Sequence, residues 1–263
     1  MLLTVLFSLL SLGLTAGIYF FAWEGASPLW LLPIALGAFL AFNIFHLLFL
    51  VVSAPLLRKD APKRYSRFAF AVVGLTVDWV LCILGVRVRV LGRDKLPKIP
   101  FIVISNHRSA MDALVSLRAF RGHSLCFISK ASVLRWPIVG AYMRRSGSLG
   151  IERDMPLQSL RTIKAAAKKI KEEGVSFGIF PEGTRTKNGK VGEFKEGAFL
   201  AAKKAECPIV VATIEGTERT FRRISPKVTV TVHTVIGADE VKESTHTELC
   251  ERTRKVITEA LGE

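Results

Sequence analysis

Two short stretches hold the residue types best suited to chemistry. Residues 105–112, Ser-Asn-His-Arg-Ser-Ala-Met-Asp, place His107 and Asp112 five positions apart, directly after an apolar run at 101–104 that reads as a buried strand. A histidine titrating near neutrality can take a proton from a hydroxyl, and a carboxylate on its other ring nitrogen fixes the tautomer and stabilises the imidazolium that develops. Five positions let the loop turn back so that the two side chains meet. Asp112 fits equally well as a helix-capping or surface carboxylate on spacing alone.

The second stretch, Ile-Phe-Pro-Glu-Gly-Thr-Arg at 179–185, also follows an apolar run. Gly183 and Thr184 can present backbone donors there, while Glu182 and Arg185 extend from a tight connection. Arginine suits a phosphate because it is always charged and offers a fork of donors. Pro-Glu-Gly is also an ordinary turn composition. Gly189 and Lys190 do not make a nucleotide-binding loop, since the spacing from Gly183 is one residue too long and Val191 occupies the Ser/Thr position. Lys130 and Arg153, each near the end of a strand candidate, could complete an anion pocket with Arg185, because a phosphate in a cleft needs several converging charges. Lys187, Lys190, Arg144 and Arg145 are weaker choices. Cys82, Cys126, Cys207 and Cys250 show no metal-like spacing and read as ordinary buried thiols.

Strand candidates at 86–91, 101–104, 125–128, 149–151, 175–180, 208–214 and 227–236 alternate with helix candidates at 111–120, 156–173, 196–205 and 245–261. Such alternation predicts one α/β domain with helices covering a largely apolar sheet, over residues 86–263. Strand ends in such a sheet are where sites form, and both chemical stretches stand at one.

The chain of 263 residues carries 37 Lys or Arg against 22 Asp or Glu, yet Glu24 is the only one of these in the first 57 residues. The rest holds 37 basic and 21 acidic groups, a net +16. Residues 2–22 and 28–57 are each long enough to cross a hydrocarbon layer about 30 Å thick at about 1.5 Å per residue, and both lack charge. The segment 1–57 therefore predicts a membrane-anchoring helical hairpin, with a turn at 24–28 and Trp23 and Trp30 at interfacial positions. A cleaved signal peptide fits poorly, since there is no basic n-region and Phe20, Phe21 and Trp23 stand where small residues would be needed. The cluster Arg58, Lys59, Lys63, Arg64 and Arg67 places the following domain on the cytoplasmic side. Asn43 and His46 inside the second run are expected to be satisfied by hydrogen bonds. Residues 58–85 contain a third apolar stretch, but Arg67 and Asp78 favour an interfacial or domain-packing helix over a third span. The basic excess lacks the zinc-finger spacing, RNA-binding aromatic signature or long Arg/Lys tract that would point to nucleic acid.

The two chemical stretches together, Asn-His-x-x-x-x-Asp at 106–112 and Phe-Pro-Glu-Gly-Thr-Arg at 180–185, resemble the lysophosphatidic acid acyltransferase (1-acylglycerol-3-phosphate acyltransferase) family over roughly residues 86–236. The resemblance implies that His107 is the general base and Asp112 its orienting partner. It further implies that Arg153 belongs to the second motif, that Glu182, Gly183, Thr184 and Arg185 hold the glycerol phosphate acceptor with Lys130, and that Cys-Pro-Ile-Val at 207–210 is the fourth motif. Gly150 departs from the large apolar residue common in the second motif, and Val211 and Ala212 depart from the fourth. The implied reaction passes an acyl group from acyl-CoA or acyl carrier protein to lysophosphatidate at a phospholipid membrane, in a bacterial inner membrane with the catalytic domain facing the cytoplasm. It requires no metal and no cofactor.

Overall fold

The computed structural model describes residues 2–22, 27–58, 65–152, 154–186 and 189–263. Residues 24–26 of the expected turn at 24–28, Trp23, most of the basic cluster (Lys59, Lys63 and Arg64), Arg153 and Lys187 lie outside them.

The described chain runs α1 (Leu2–Gly17), continued by a π-helical turn at Ile18–Ala22, then α2 (Leu31–Arg58), α3 (Arg67–Ile83), β1 (Arg87–Leu91), β2 (Ile102–Ser105) and α4 (Met111–Ala119). It goes on through β3 (Leu125–Lys130), α5 (Ala131–Leu134), α6 (Val139–Arg145), β4 (Leu149–Ile151), α7 (Pro156–Glu173), β5 (Ser176–Ile179) and α8 (Gly197–Ala205). It ends with β6 (Ile209–Glu215), β7 (Lys227–Ile236), α9 (Ala238–Glu243) and α10 (His246–Ala260). The strands form one sheet in the order β1-β7-β6-β2-β5-β3-β4. Strands β6, β2, β5, β3 and β4 run parallel, while β7 turns back antiparallel to β6 and takes β1 with it.

The period-2 alternation of the central strands decides how the layers close. Ile102, Ile104, Phe177, Ile209 and Val211 face α7, α8 and α10, packing with Ile163, Ile170, Phe199, Leu249 and Ile257. Phe101, Val103, Val210, Ala212 and Ile214 face the other way onto Val77, Leu81, Met111, Val115 and Phe120 of α3, α4 and its end. Every residue of β2 is buried, as expected of a strand covered on both faces. Helix α7 ends at Gly174, whose φ of 68° makes the left-handed cap available to a residue without a Cβ.

The third apolar stretch is a domain-packing helix. Ser66 caps α3 by accepting from the backbone N–H of Ala69, and Val77, Trp79 and Leu81 are buried. Asp78 pairs with Arg118, at 3.4 Å, and with Arg121 at the end of α4. Trp79 Nε1 donates to Asn43 Oδ1 at 2.6 Å, and Asn43 also donates to Phe39 O at 2.7 Å. His46 faces Thr76 at 3.4 Å.

The two-span hairpin needs correction. Among the described residues only α2 has the length and apolarity to cross a membrane, over Leu31–Leu57. Among the described residues the apolar helix preceding it is the shorter one, Val5–Phe20. It packs along α2, with Phe7 stacked on Phe42 at 5.7 Å and the Ser11 hydroxyl donating to Ala35 O.

Candidate active site

Because β2, β5, β3 and β4 are parallel, the segments that follow them leave the sheet on one edge. His107 follows β2, residues 180–185 follow β5, and Lys130 ends β3. Residues separated by up to 78 positions in sequence are thereby gathered by topology alone, at the carboxyl ends of parallel strands.

The loop after β2 is anchored by Asn106, whose buried amide donates to Ile214 O at 2.9 Å and accepts from Ile214 N at 2.8 Å. This two-way bond to β6 fixes the point where the chain turns. His107 then sends Nδ1 to Asp112 Oδ2 at 2.8 Å. The same oxygen accepts the backbone N–H groups of Arg108 and Ser109, each at 2.7 Å, while Oδ1 accepts the Thr217 hydroxyl at 2.5 Å. Asp112 is fully buried, and a cluster of donors around both oxygens is the surrounding an ionised, acceptor-only carboxylate requires. With Nδ1–H donating to Asp112, the Nε2 lone pair is left as the acceptor on the imidazole, whose side chain is 18% exposed.

The imidazole is held on its flat face as well. Phe180 stacks on it with centroids 4.2 Å apart and planes 12° apart, and Phe127 stacks on Phe180 at 5.9 Å. Space for Phe127 comes from Gly178, where a Cβ would stand 2.5 Å from Phe127 Cε1. Gly178→Ala is expected to displace this ring stack and cost about 1–3 kcal/mol as overpacking. Thermal unfolding in detergent and turnover should fall together; an unchanged melting temperature would show that the stack yields without cost.

Glu182, expected from the family resemblance among the acceptor-holding residues, turns inward. Its Oε1 accepts the His107 backbone N–H at 2.7 Å and its Oε2 that of Gly192 at 2.9 Å. Thr186 N in turn donates to His107 O at 3.0 Å, so the two motifs are tied through the main chain of the histidine itself. Burial pushes the Glu182 carboxyl up from 4.5, opposed by the Gly192 and His107 N–H groups and by the His107 charge, with the Asp112 charge adding to the rise. The unfolded carboxyl therefore ionises first as pH rises, and the stability Glu182 contributes is lost from pH 4.5 up through its raised folded value. Glu182→Gln leaves one oxygen for two converging donors, which costs about 1–3 kcal/mol. The deficit relative to the parent should shrink between pH 5 and pH 7 in detergent melts; a deficit that grows over that interval would reverse the assigned direction.

Arg185, Thr184 and Lys130 are exposed on the same edge. Gly183 takes a φ of 71°. A Cβ there would lie 3.4 Å from Lys195 Nζ, so this exposed lysine reaches over the Gly183 turn. Lys195, Thr217, Asn106 and Phe180 are the neighbours that spacing did not single out. Asn106 and Phe180 carried a signal, each as the first residue of one of the two motifs. Cys126 and Cys207 are buried, and burial pushes each thiol up to about 12, which leaves them inert. Among the described residues no group of three or more His, Cys, Asp or Glu is arranged to hold a metal.

A family model described as Acyltransferase matches residues 87–215. The chloroplastic 1-acyl-sn-glycerol-3-phosphate acyltransferase BAT2 of Brassica napus is 32% identical over 179 residues, covering 65% of this chain and 50% of that protein. The 1-acyl-sn-glycerol-3-phosphate acyltransferase of Borreliella burgdorferi is 32% identical over 159 residues, covering 59% of this chain and 62% of its own. The chain thus spans about half to three-fifths of these relatives. The crystal structure of the 1-acyl-sn-glycerophosphate (LPA) acyltransferase PlsC from Thermotoga maritima superposes with a TM-score of 0.65 at 24% identity, covering 85% of this chain and 92% of that one. That likeness shows a shared fold.

Proposed function

Because this chain belongs to the lysophosphatidic acid acyltransferase family, we propose that it transfers a fatty acyl group from acyl-CoA or acyl carrier protein to the 2-hydroxyl of 1-acylglycerol 3-phosphate, giving phosphatidate. The observation that carries the assignment is the 2.8 Å contact from His107 Nδ1 to an Asp112 held by three further donors, which leaves Nε2 as the proton acceptor.

In this mechanism Nε2 takes the hydroxyl proton as the oxygen attacks the thioester carbonyl carbon. The tetrahedral intermediate collapses with formation of the ester C–O bond and loss of the C–S bond, and the imidazolium returns its proton to the leaving thiolate. Asp112 stabilises the transient imidazolium. No acyl-enzyme forms. Arg153 and Arg185, with Lys130 and the Gly183–Thr184 turn, clamp the acceptor phosphate; fixing that remote group restricts where the hydroxyl can stand. Glu182 serves the acceptor indirectly, by tying the turn after β5 to the main chain of His107.

Residues 1–57 act as the membrane-anchoring segment in a bacterial inner membrane, residues 58–85 as the packing segment, and residues 86–263 as the catalytic domain facing the cytoplasm. Support comes from the long apolar α2 and from the uncharged composition before residue 58.

Arg185→Ala is expected to raise the KM for lysophosphatidate by roughly 10- to 100-fold with a smaller change in kcat, as loss of a charged hydrogen bond predicts. Unchanged dependence on acceptor concentration would remove Arg185 from the phosphate clamp. The acceptor itself is tested with purified protein in vesicles, offered lysophosphatidate, glycerol 3-phosphate and other lysophospholipids, with the products resolved by headgroup. Phosphatidate is the expected product. Turnover of another acceptor alone would reassign the substrate, and no turnover with persistent vesicle binding would leave a non-catalytic anionic-lipid-binding protein.

A further inference from the structure

The connection between β6 and β7 carries two apolar side chains that no described residue covers. Phe221 is 74% exposed and Ile224 is 101% exposed, with exposed Arg222 and Arg223 between them. The base of this loop is firmly held. Thr217 donates to Asp112, Thr220 Oγ1 donates to Thr217 O at 2.8 Å, and the backbone bonds Arg219 N to Gly216 O and Arg222 N to Arg219 O close successive turns. On its far side Ser225 Oγ donates to Gly85 O at 3.2 Å. A rigid loop that displays Phe-Arg-Arg-Ile outward is not a collapsed surface turn.

Its position is set by the sheet. Strand β6 runs parallel to β2, so residues 216–226 leave on the edge that bears His107. The end of α3 and the starts of β1 and β7 meet on this edge too, where Arg87 N donates to Pro226 O at 2.9 Å. Helix α2 runs antiparallel to α3, since Asn43 meets Trp79 and His46 meets Thr76, while Leu50 and Ala54 cluster with Ala69 and Val72. Twelve helical positions separate Asn43 from Leu31, but only four separate Trp79 from Ile83. The apolar N-terminal part of α2 therefore projects past α3 by about eight residues, or about 12 Å at about 1.5 Å per residue. Both the projecting apolar helix and the Phe221–Ile224 side chains thus stand on the catalytic edge.

We propose that residues 219–224 form a second membrane contact, with Phe221 and Ile224 inserted among the acyl chains of an anionic phospholipid surface and Arg222 and Arg223 at its headgroups. The composition selects this occupant. Glu218 pairs with Arg219 at 3.2 Å, which leaves two further arginines beside two aliphatic or aromatic tips, and such a pairing matches an interface that is apolar below and anionic above. Because Thr217 at the base of the loop is bonded to Asp112, the contact also sets the height and tilt of the His107 pocket over the lipid.

The test uses the full chain in vesicles of phosphatidylglycerol and phosphatidylcholine. A nitroxide label at Ile224→Cys, read by its relative accessibility to oxygen and to a water-soluble nickel chelate, should lie in the acyl region, whereas a label at Lys204→Cys on the opposite edge stays in water. The double variants Phe221→Ser/Ile224→Ser and Arg222→Ser/Arg223→Ser should remain membrane-bound through α2. Each should lose roughly tenfold or more of its turnover on vesicle-embedded acceptor while keeping turnover on a monomeric short-chain acceptor. A label at 224 as water-accessible as that at 204, or one shielded only when a second protein is added, would overturn the proposal. The label measurement requires no catalysis, so it stands apart from the acyltransferase assignment on which only the turnover comparison rests.

Discussion

Replacing His107 by Ala is expected to abolish acyl transfer, lowering kcat by about 10²- to 10⁴-fold, the usual contribution of a positioned general base. The expected loss lies in chemistry and not in folding. The side chain of His107 is partly exposed, and the contacts that hold the loop belong to its main chain, which donates to Glu182 and accepts from Thr186. Truncation leaves those bonds in place and removes only the ring between Phe180 and Asp112. Membrane attachment and the melting temperature should therefore change little while phosphatidate formation collapses. Full turnover in the variant would remove His107 as the base.

The second large effect is expected from Asp112→Asn. Three N–H donors converge on Oδ2, from the ring of His107 and the backbone of Arg108 and Ser109, so the amide oxygen is forced to that side. The amide NH2 then faces Thr217, whose hydroxyl can rotate and accept. Such an arrangement keeps the fold and the Nδ1–H tautomer but removes the negative charge that balances the imidazolium. A loss of about 10²-fold or more in kcat, with a smaller change in KM, is expected. The opposite amide orientation would reverse the tautomer and give a loss nearer 10⁴-fold. Activity within tenfold of the parent would show that the charge of Asp112 contributes little to the transition state.

Both predictions depend on contacts that differ sharply in how far the sequence announces them. His107 and Asp112 are close in the chain, and a strand followed by a short loop and a helix limits where a five-residue return can go. Their meeting was legible for that reason. Thr217 lies 105 positions beyond Asp112 and reaches it only because β6 runs parallel to β2 and ends on the same edge. Glu182 shows the reverse case. Its motif marked it among the acceptor-holding residues, and nothing in that motif announced that two inward-facing N–H groups bond its two oxygens.

The elements divide in the same way. All seven strands of the sheet stand within about two residues of their sequence runs, because β2, β5 and β6, buried on both faces, leave little choice of composition and β1 and β7 alternate with period two. The short helices α5, α6 and α9 carried no such pattern and were missed, being too brief to show a 3.6-residue period. At the N-terminus the lack of charge marked two apolar runs alike, whereas among the described residues only the second forms a helix long and apolar enough to span.

The sequence by itself therefore determined the α/β alternation, the positions of the two motifs at strand ends and the resemblance to an acyltransferase family, because apolar period and local spacing are properties of neighbouring residues. Only the tertiary structure decided which of those residues face each other. Strand order β6-β2-β5-β3-β4 is set by long-range packing of the two apolar faces. That order brings Thr217, Asp112, His107 and Glu182 into one bonded group and puts the exposed Phe221–Ile224 side chains on the edge that the group shares.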